Sequence, residues 1–330
     1  MKKGIIKTNA YIVSSASCVG GREHEGPLGS FFDFHDPEDS FGMPTWEKAE
    51  SEMQRIALSC AMSKSELRAE NIDAVFAGDL LNQCVGSAYG LIDYDIPYFG
   101  LYGACSTAAE GIMLASMTVG SGIFSRAAAV TSSHNCSAER QYRTPTEYGA
   151  QRAPTAQWTV TGAGAFIIGE TGNVKISEVM AGIVVDRGIS DASNMGAAMA
   201  PAAISTLKRY FDESDLSPDS FDMILTGDLG YEGGDILCEL SKNEGLDIFR
   251  VFADCGMMIY SRETQDVHSG GSGCGCSAAV LASYILPKLA KGELKNVLFL
   301  GTGAMMSPSS IQQGLTIPAI AHLVHFEGEA

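Results

Sequence analysis

Two stretches of this sequence have the same order of residue types at a spacing of 170 positions. The first, residues 103–130, reads Gly-Ala-Cys-Ser-Thr-Ala-Ala and continues as a small-residue helix, a glycine turn and an apolar strand. The second, residues 274–300, reads Cys-Gly-Cys-Ser-Ala-Ala and continues in the same way, so that Gly275 corresponds to Cys105. A repeat of this length predicts two related units that pack against each other.

A second pair of segments supports the repeat. Residues 72–80 and 221–229 both have the pattern of an apolar strand that ends in Gly-Asp-Leu. We therefore divide the chain into a first half, residues 1–170, and a second half, residues 171–330. Residues 1–45 contain Gly-Gly, Gly-Pro and Asp-Pro pairs, which predict an irregular, loop-rich segment at the start of the first half.

Strands and helices are predicted to alternate in both halves, which indicates an α/β protein with mainly parallel sheets. We expect 162–168 and 174–185 to be a pair of strands that closes the first half. The polar segment 140–158 is expected to be a long loop over a pocket mouth or across a subunit interface. Apolar periodicity predicts helices at 46–62, 80–92, 195–211 and 236–244, and strands at 72–77, 127–130, 221–226, 297–300 and 319–326.

Charge and cysteine content narrow the function class. The formal net charge of −17 argues against nucleic acid or an anionic membrane surface as a partner. The 9 cysteines and the absence of a secretory pattern at the start predict reduced thiols and an intracellular protein, with no signal peptide and no transmembrane helix. Cys274 and Cys276 lack the spacing of a zinc site, so no resident metal is predicted.

Four side chains that could bind a ligand or take part in catalysis follow predicted strands directly. Asp79, Cys105, His134 and Asp228 each come just after an apolar run. Ligands of open α/β sheets bind beyond the carboxyl ends of the strands, so we expect these residues to meet at one crevice. Cys105 also begins a helix, where free N–H groups and the helix dipole are expected to favour a thiolate or a bound carboxylate.

The duplicated pattern, with a cysteine at the start of the first-half helix, resembles the thiolase superfamily and within it the type III ketoacyl synthases. The resemblance implies a five-layered αβαβα fold with duplicated halves and a homodimer. In those synthases a His ends the second-half strand and an Asn precedes the second-half helix. Asp228 and Gly275 occupy these places here, so acyl condensation is not expected.

Several motifs are more specific and resemble a family of stage V sporulation proteins of endospore-forming bacteria. They are Ala-Gly-Asp-Leu-Leu-Asn-Gln at 77–83, Gly-Ala-Cys-Ser-Thr at 103–107, Thr-Ser-Ser-His-Asn at 131–135, Pro-Thr-Glu-Tyr-Gly at 145–149 and Asp-Cys-Gly-Met-Met at 254–258. This resemblance implies a protein that binds pyridine-2,6-dicarboxylate (dipicolinate). It would act with membrane proteins of the same operon to load calcium dipicolinate into the developing spore, and would be held at the inner spore membrane through them.

A dipicolinate site built from these residues needs donors for two carboxylates. We expect N–H groups at the Cys105 helix end, a stacking or charged His134, and a bidentate Arg140 to supply them, with Asn82 and Gly275 beside the ligand. Asp79 and Asp228 would repel the dianion unless they are protonated or a calcium ion lies between. We favour calcium carried with the ligand near Asp79 and expect no other cofactor.

Other interpretations of the same residues stay open. Asp79 and Asp228 are equally consistent with helix caps, His134 with a satisfied core residue, and Arg140 with a surface ion pair. The alternative function is a thiolase-type acyltransferase or condensing enzyme that uses Cys105 with atypical helpers. A scaffold that recruits membrane partners and keeps only a vestigial pocket is a third interpretation.

Overall fold

One long strand, β1 (Ile5–Gly20), joins two sets of strands into an eleven-stranded sheet in this computed structural model, which describes residues 4–142 and 152–328. The other strands follow in chain order: β2 (Phe34–Asp36), β3 (Ala74–Gly78), β4 (Tyr98–Leu101), β5 (Arg126–Ser133), β6 (Trp158–Thr159), β7 (Gly162–Gly169), β8 (Val174–Met180), β9 (Met223–Thr226), β10 (Phe252–Asp254), β11 (Gly271–Ser272), β12 (Asn296–Ala304) and β13 (Ala319–Gly328).

Helices connect these strands and cover both outer faces. They are α1 (Gly21–His24), α2 (Trp46–Lys64), α3 (Val85–Leu91), α4 (Thr107–Gly120), α5 (Asn135–Tyr142), α6 (Met195–Glu213), α7 (Gly230–Asn243), α8 (Cys255–Met258), α9 (Cys274–Val280), α10 (Leu286–Ala290) and α11 (Pro308–Gln312). A single π-helical turn, Leu281–Ile285, joins α9 to α10. Among the described residues no helix has both the length and the apolar character required to cross a bilayer.

The strand order confirms the duplication. The path through the sheet is β10-β9-β12-β13-β8 in one half and β1-β7-β5-β3-β4 in the other, so each half repeats the same order outward from the β8–β1 contact. The three outer strands of each half are parallel, whereas β13, β8, β1 and β7 are antiparallel to their neighbours on this path; β2 pairs with the end of β1 in parallel. The sheet is therefore mixed, and the prediction of mainly parallel sheets holds only for its outer parts.

The helices complete five layers. The core between the two halves of the sheet is built around α4 and α9, with Ile112, Phe166 and Phe299 fully buried there. A second core lies under α6, and a third lies under α2. This αβαβα stack places the starts of α4 and α9 at the centre of the molecule, next to the ends of strands from both halves.

Strand β1 is the main departure from the sequence-based prediction, which placed an irregular segment over residues 1–45. Both faces of the strand are covered over residues 15–20, where it carries small buried residues such as Ala16 and Ser17 instead of a clear alternation. Its first part, up to Ile12, pairs with β8 and its second part, from Tyr11, pairs with β7, and each of these ladders has one register irregularity, near Lys7 and near Ile12. The glycine and proline breakers begin only at the end of the strand.

Two further boundaries differ from the prediction. Strand β8 ends at Met180 rather than at residue 185 and pairs with both β1 and β13, so it begins the second half's set of strands. The predicted loop at 140–158 starts inside α5 and ends in β6, which pairs with β11. Residues 143–151 of that segment, which include the whole motif at 145–149, lie outside the described residues.

Candidate functional site

Cys105 lies at a tight bend between β4 and α4. Its neighbour Ala104 has a φ of 53°, a left-handed conformation that residues with a side chain rarely adopt. The bend is a short 3₁₀ turn, Ala104–Ser106, in which the Ser106 hydroxyl donates to the carbonyl of Gly103 at 2.6 Å. The backbone therefore has the strained elbow expected for a nucleophile that opens a helix.

Asp228 of the second half is linked to this elbow through Ser272. The hydroxyl of Ser272 is 3.9 Å from the Cys105 sulfur and donates to the Asp228 carboxylate at 3.0 Å. The same carboxylate accepts from the Gly273 amide at 2.9 Å and from the Thr302 hydroxyl at 2.9 Å. Strand ends of both halves thus meet in one buried polar cluster beside the elbow (the crevice), and of the four residues expected to meet there it contains Cys105 and Asp228.

The electrostatics of the crevice keep the thiol protonated. Burial raises the pKa of Cys105 well above its ordinary value, and the negative charge of Asp228 raises it further. Burial also raises the pKa of Asp228, although the hydrogen bonds that it accepts oppose this shift. The thiolate expected at the start of α4 is therefore disfavoured, because desolvation and a neighbouring carboxylate outweigh the helix end.

Gly275, at the start of α9, packs too closely for any side chain. A Cβ atom at this position would lie 2.1 Å from the carbonyl oxygen of Gly162 and 2.7 Å from the amide nitrogen of Ser133. The Gly275 amide donates to the Ser133 hydroxyl at 3.2 Å. This position therefore holds a backbone contact between the halves instead of a side-chain donor.

Asp79 is fully buried at the end of β3, and its carboxylate is directed at its own following segment. It accepts from the amide of Leu81 at 2.9 Å and from the amide and hydroxyl of Ser87 at 2.7 and 2.6 Å. Asp79 therefore caps the start of α3, which is one of the two interpretations that the sequence allowed. In the described parts of the chain, no group of three or more His, Cys, Asp and Glu side chains could hold a metal ion.

A second buried acid, Glu50 on α2, lies beside Asp79 and was missed from the sequence. It accepts from the hydroxyls of Ser132 at 3.1 Å and Ser137 at 2.7 Å, and burial with the nearby Asp79 raises its pKa to about 8. Gln54, one helical turn later, donates to Ser132 at 2.8 Å. Two polar residues at i and i+4 on the otherwise apolar face of the predicted helix were the available signal.

His134 is buried with both ring nitrogens engaged. Its Nε2 donates to the carbonyl of Asp39 at 2.9 Å, and its Nδ1 accepts from the amide of Cys136 at 3.2 Å. The ring packs against Trp46 with centroids 5.3 Å apart, and burial lowers the pKa of the imidazole. His134 is thus a neutral, satisfied core residue here.

Asn82 and Arg140 line a different opening, a cavity of about 160 Å³ between α2, α3 and α5. Arg140 forms an exposed ion pair with Glu47, and Asn82 accepts from the hydroxyl of Tyr102 at 3.1 Å. The remaining lining residues are Leu81, Val85, Ser137 and Gln141. Of the seven predicted site residues, the crevice at the elbow therefore holds Cys105 and Asp228 together.

Comparisons with known proteins agree with this architecture. A structure of Xanthomonas campestris OleA with cerulenin bound has a TM-score of 0.59 at 14% identity, covering 96% of this chain and 97% of that chain. The 3-oxoacyl-(acyl carrier protein) synthase III of Xanthomonas oryzae pv. oryzae has a TM-score of 0.58 at 14% identity, covering 96% and 99%. These TM-scores show a shared thiolase-like fold, and identities this low show nothing beyond the fold.

Sequence similarity is closer to a sporulation protein. The stage V sporulation protein AD of Bacillus subtilis (strain 168) is 44% identical over 318 residues, which cover 96% of this chain and 94% of that protein. The family model described as stage V sporulation protein AD matches residues 2–327. This chain, with its elbow cysteine and the acid beside it, therefore belongs to the stage V sporulation protein AD family.

Proposed function

We propose that this protein binds dipicolinate without acyl chemistry and serves the loading of calcium dipicolinate into the developing spore. The observation that carries the proposal is the set of residues around the elbow. It keeps Cys105 on a strained elbow, while Asp228 and Gly275 occupy the positions at which a type III synthase would have its helpers. A site that retains its shape and has lost its activating groups is suited to binding.

The charge arrangement opposes acyl transfer at Cys105. A condensing enzyme needs a thiolate and a base to form it. Asp228 already accepts hydrogen bonds from Ser272, Gly273 and Thr302, and its charge destabilises a thiolate nearby. Both effects favour the neutral thiol, which is a packing group rather than a nucleophile.

The same acid bears on the form in which the ligand binds. Asp228 is buried beside the elbow, and its charge raises the pKa of Cys105, so a free dianion bound there would meet like charge. We propose that dipicolinate binds with its charge compensated, as the calcium chelate. Affinity measured by titration calorimetry with added calcium and then with excess chelator tests this: equal affinities would exclude a role for calcium.

Two substitutions at one position test the binding function. Cys105→Trp should abolish dipicolinate binding because the indole fills the crevice, whereas Cys105→Ala should retain it because the thiol is not required. Circular dichroism and thermal unfolding establish that both variants fold. Loss of binding in folded Cys105→Ala, or full binding in folded Cys105→Trp, would contradict the proposal.

One observation favours the alternative, an acyltransferase with atypical helpers. Ser272 bridges the thiol and the Asp228 carboxylate, which is the connectivity of a proton relay even though its first contact is long at 3.9 Å. This alternative predicts a mass increase of intact protein after incubation with an acyl-CoA, absent in Cys105→Ala. The binding function predicts no mass increase in either protein.

We also propose a homodimer that is attached to membrane proteins of the loading machinery. The edge strand β4 and the residues next to it expose Tyr98, Phe99 and Tyr102, and Tyr89 and Ile92 are exposed nearby in the chain. An open strand edge with exposed aromatic residues is suited to pairing with a second copy. Light scattering should give a dimer mass, and Phe99→Asp should convert it to a monomer.

A further inference from the structure

The longest stretch of this chain without a charged side chain lies between Lys295 and Glu327. No Asp, Glu, Lys or Arg occurs at residues 296–326, although the net charge of the chain is −17. Strands β12 and β13 form the two ends of this stretch and are largely buried. The connection between them lies at the surface, where Met305 is exposed and Leu315 is 53% exposed. An acidic protein therefore has an exposed surface that carries no charge.

A second segment extends this surface. The backbone of Val185 is hydrogen-bonded in both directions, at 2.8 Å, to the first residue of β13. The two residues before it, Ile183 and Val184, are exposed, Val184 to 60%. We refer to residues 183–185 and 305–318 together as the uncharged face. Its exposed large side chains are all aliphatic or thioether groups.

The uncharged face begins next to the elbow. Gly303 near the end of β12 packs closely on it: a Cβ atom at this position would lie 2.7 Å from the carbonyl oxygen of Gly103 and 3.0 Å from the amide nitrogen of Ser106. Met305, two residues further along the chain, is already exposed. A protein that covers the uncharged face would therefore lie close to the elbow that holds Cys105.

The composition of the face indicates what kind of partner fits it. Exposed apolar patches mark interaction sites, and the cores of protein interfaces are depleted of charged residues. The face offers no acid to a basic partner and no base to an acidic one, so the surface that matches it is aliphatic and uncharged. A bilayer fits less well, because elements that bind a bilayer surface carry Lys or Arg beside Trp or Phe, and residues 183–185 and 305–318 include none of these.

We propose that the uncharged face docks an aliphatic, uncharged segment of a membrane-protein partner, which is thereby placed beside the elbow. This assignment rests on the proposed function, in which the protein is attached to membrane proteins. A second copy of the chain is expected at a different place, the edge strand β4 in the other half of the sheet. The charged side chain next in sequence to the face, Asp186, accepts from the Thr316 hydroxyl at 2.6 Å and so fastens the two segments of the face to each other.

Photo-crosslinking from the face identifies what covers it. Full-length protein with benzoylphenylalanine in place of Leu315 is produced in sporulating cells and irradiated, and the crosslinked product is analysed by mass spectrometry. We expect a product in the membrane fraction in which this position is joined to an uncharged, apolar segment of an integral membrane protein. Benzoylphenylalanine in place of Ile123, which is 67% exposed and lies in the turn after α4, should give no such product.

A charge introduced into the face should prevent docking. Leu315→Asp and Met305→Asp should each lower the membrane-bound fraction of the protein by about tenfold, the effect of losing a residue from the centre of an interface. Ile123→Asp is the matched control and should leave this fraction unchanged. Thermal unfolding and light scattering of the purified variants should give the Tm and the mass of the wild type. Val184→Asp, on the other segment of the face, repeats the test if a first variant fails to fold.

The other outcomes would overturn the assignment. A crosslink to lipid, or binding of the wild type to phosphatidylcholine vesicles that Leu315→Asp abolishes, would assign the face to the bilayer. A crosslink to a second copy would make it an interface between subunits. Equal membrane-bound fractions of the wild type and the folded face variants would overturn the docking surface alone. A wild type that is absent from the membrane fraction would overturn the proposed membrane attachment as well.

Discussion

At the elbow before α4, the sulfur of Cys105 faces the hydroxyl of Ser272 and, beyond it, the carboxylate of Asp228. The repeat and the glycine-rich bend were sufficient to predict where this cysteine lies. Its protonation state could not be predicted, because it depends on burial and on a charge contributed by the other half of the chain. Helix-end electrostatics are visible in the sequence, whereas desolvation is not.

Removing the charge of Asp228 should make the thiol more reactive. In Asp228→Asn the pKa of Cys105 is expected to fall, because the charge that raises it is gone, although burial still keeps it above its ordinary value. The alkylation rate of Cys105 at pH 8, followed by peptide mass spectrometry, should rise by up to about tenfold per unit of pKa. Asp222→Asn, which removes an exposed acid at the other end of β9, should leave this rate unchanged; an equal rate in both variants contradicts the prediction.

Gly275 should tolerate no side chain. Gly275→Ala places a Cβ against backbone atoms of Gly162 and Ser133, so it should lower the free energy of unfolding by about 2 kcal/mol or more in chemical denaturation. Gly111→Ala on α4 is the control: its nearest neighbour would be the Ala129 side chain at 3.3 Å, and only a small change is expected. Equal free energies of unfolding of the two variants would contradict this prediction, because they would show that the backbone around Gly275 moves to accept a side chain at little cost.

Residue by residue, the sequence was most informative about position and least about partners. The positions of Asp79 and His134 after β3 and β5 followed from the apolar runs before them. The roles of the predicted site residues depend on contacts with distant segments: His134 donates to the carbonyl of Asp39, and Arg140 pairs with Glu47 on α2. Such contacts leave no local pattern in the chain, which is why the capping and ion-pair interpretations could not be separated from ligand binding.

Among the elements, those with strong periodicity or clear punctuation were predicted well. Helices α2 and α6 begin where the sequence indicated, and β7 and β13 differ by only one or two residues from expectation. Strand β1 was missed because its second part is buried on both faces and therefore carries no alternation of apolar and polar residues. Its Ser and Ala content resembles that of a loop until the partners on each side are known.

Glu50 on α2, which lies beside Asp79 at the end of β3, makes a pH-dependent contribution to the free energy of unfolding. The pKa of Glu50 is raised from about 4.5 to about 8, so the folded chain holds its proton more tightly than the unfolded chain does. This contribution is therefore full below pH 4.5 and is lost as the pH rises through 8. In Glu50→Gln it is removed, so the variant's stability relative to wild type should increase between pH 5 and 8, by up to about 1 kcal/mol per pH unit.

Urea denaturation at several pH values measures this difference directly. Glu52→Gln is a suitable comparison, because Glu52 lies on the same helix and pairs with Arg55 near the surface. Its stability relative to wild type should not follow the same upward trend over this range. A parallel trend in both variants would assign the pH effect to the general charge of the chain instead of to Glu50.

At the scale of the whole molecule, the two halves should unfold together. Strand β1 pairs with strands of both halves, and the central core is shared between them. Differential scanning calorimetry should therefore give a single transition, and Ala16→Asp in β1 should lower its midpoint as a whole. The control Ile123→Asp, at a residue 67% exposed, should have little effect. Two separate transitions would contradict a shared core.

The hydrogen-bonded sheet that continues through β1 from one half to the other has a consequence for access to the elbow. Proteins that bind ligands between two lobes often open by a hinge, but here such an opening would break hydrogen bonds along β1. Entry and exit of a ligand at the elbow must then depend on small local movements of side chains and of the two-stranded β6–β11 ribbon, whose buried Ser272 contacts Cys105. The rate of ligand exchange should therefore be controlled by that ribbon rather than by motion of the lobes.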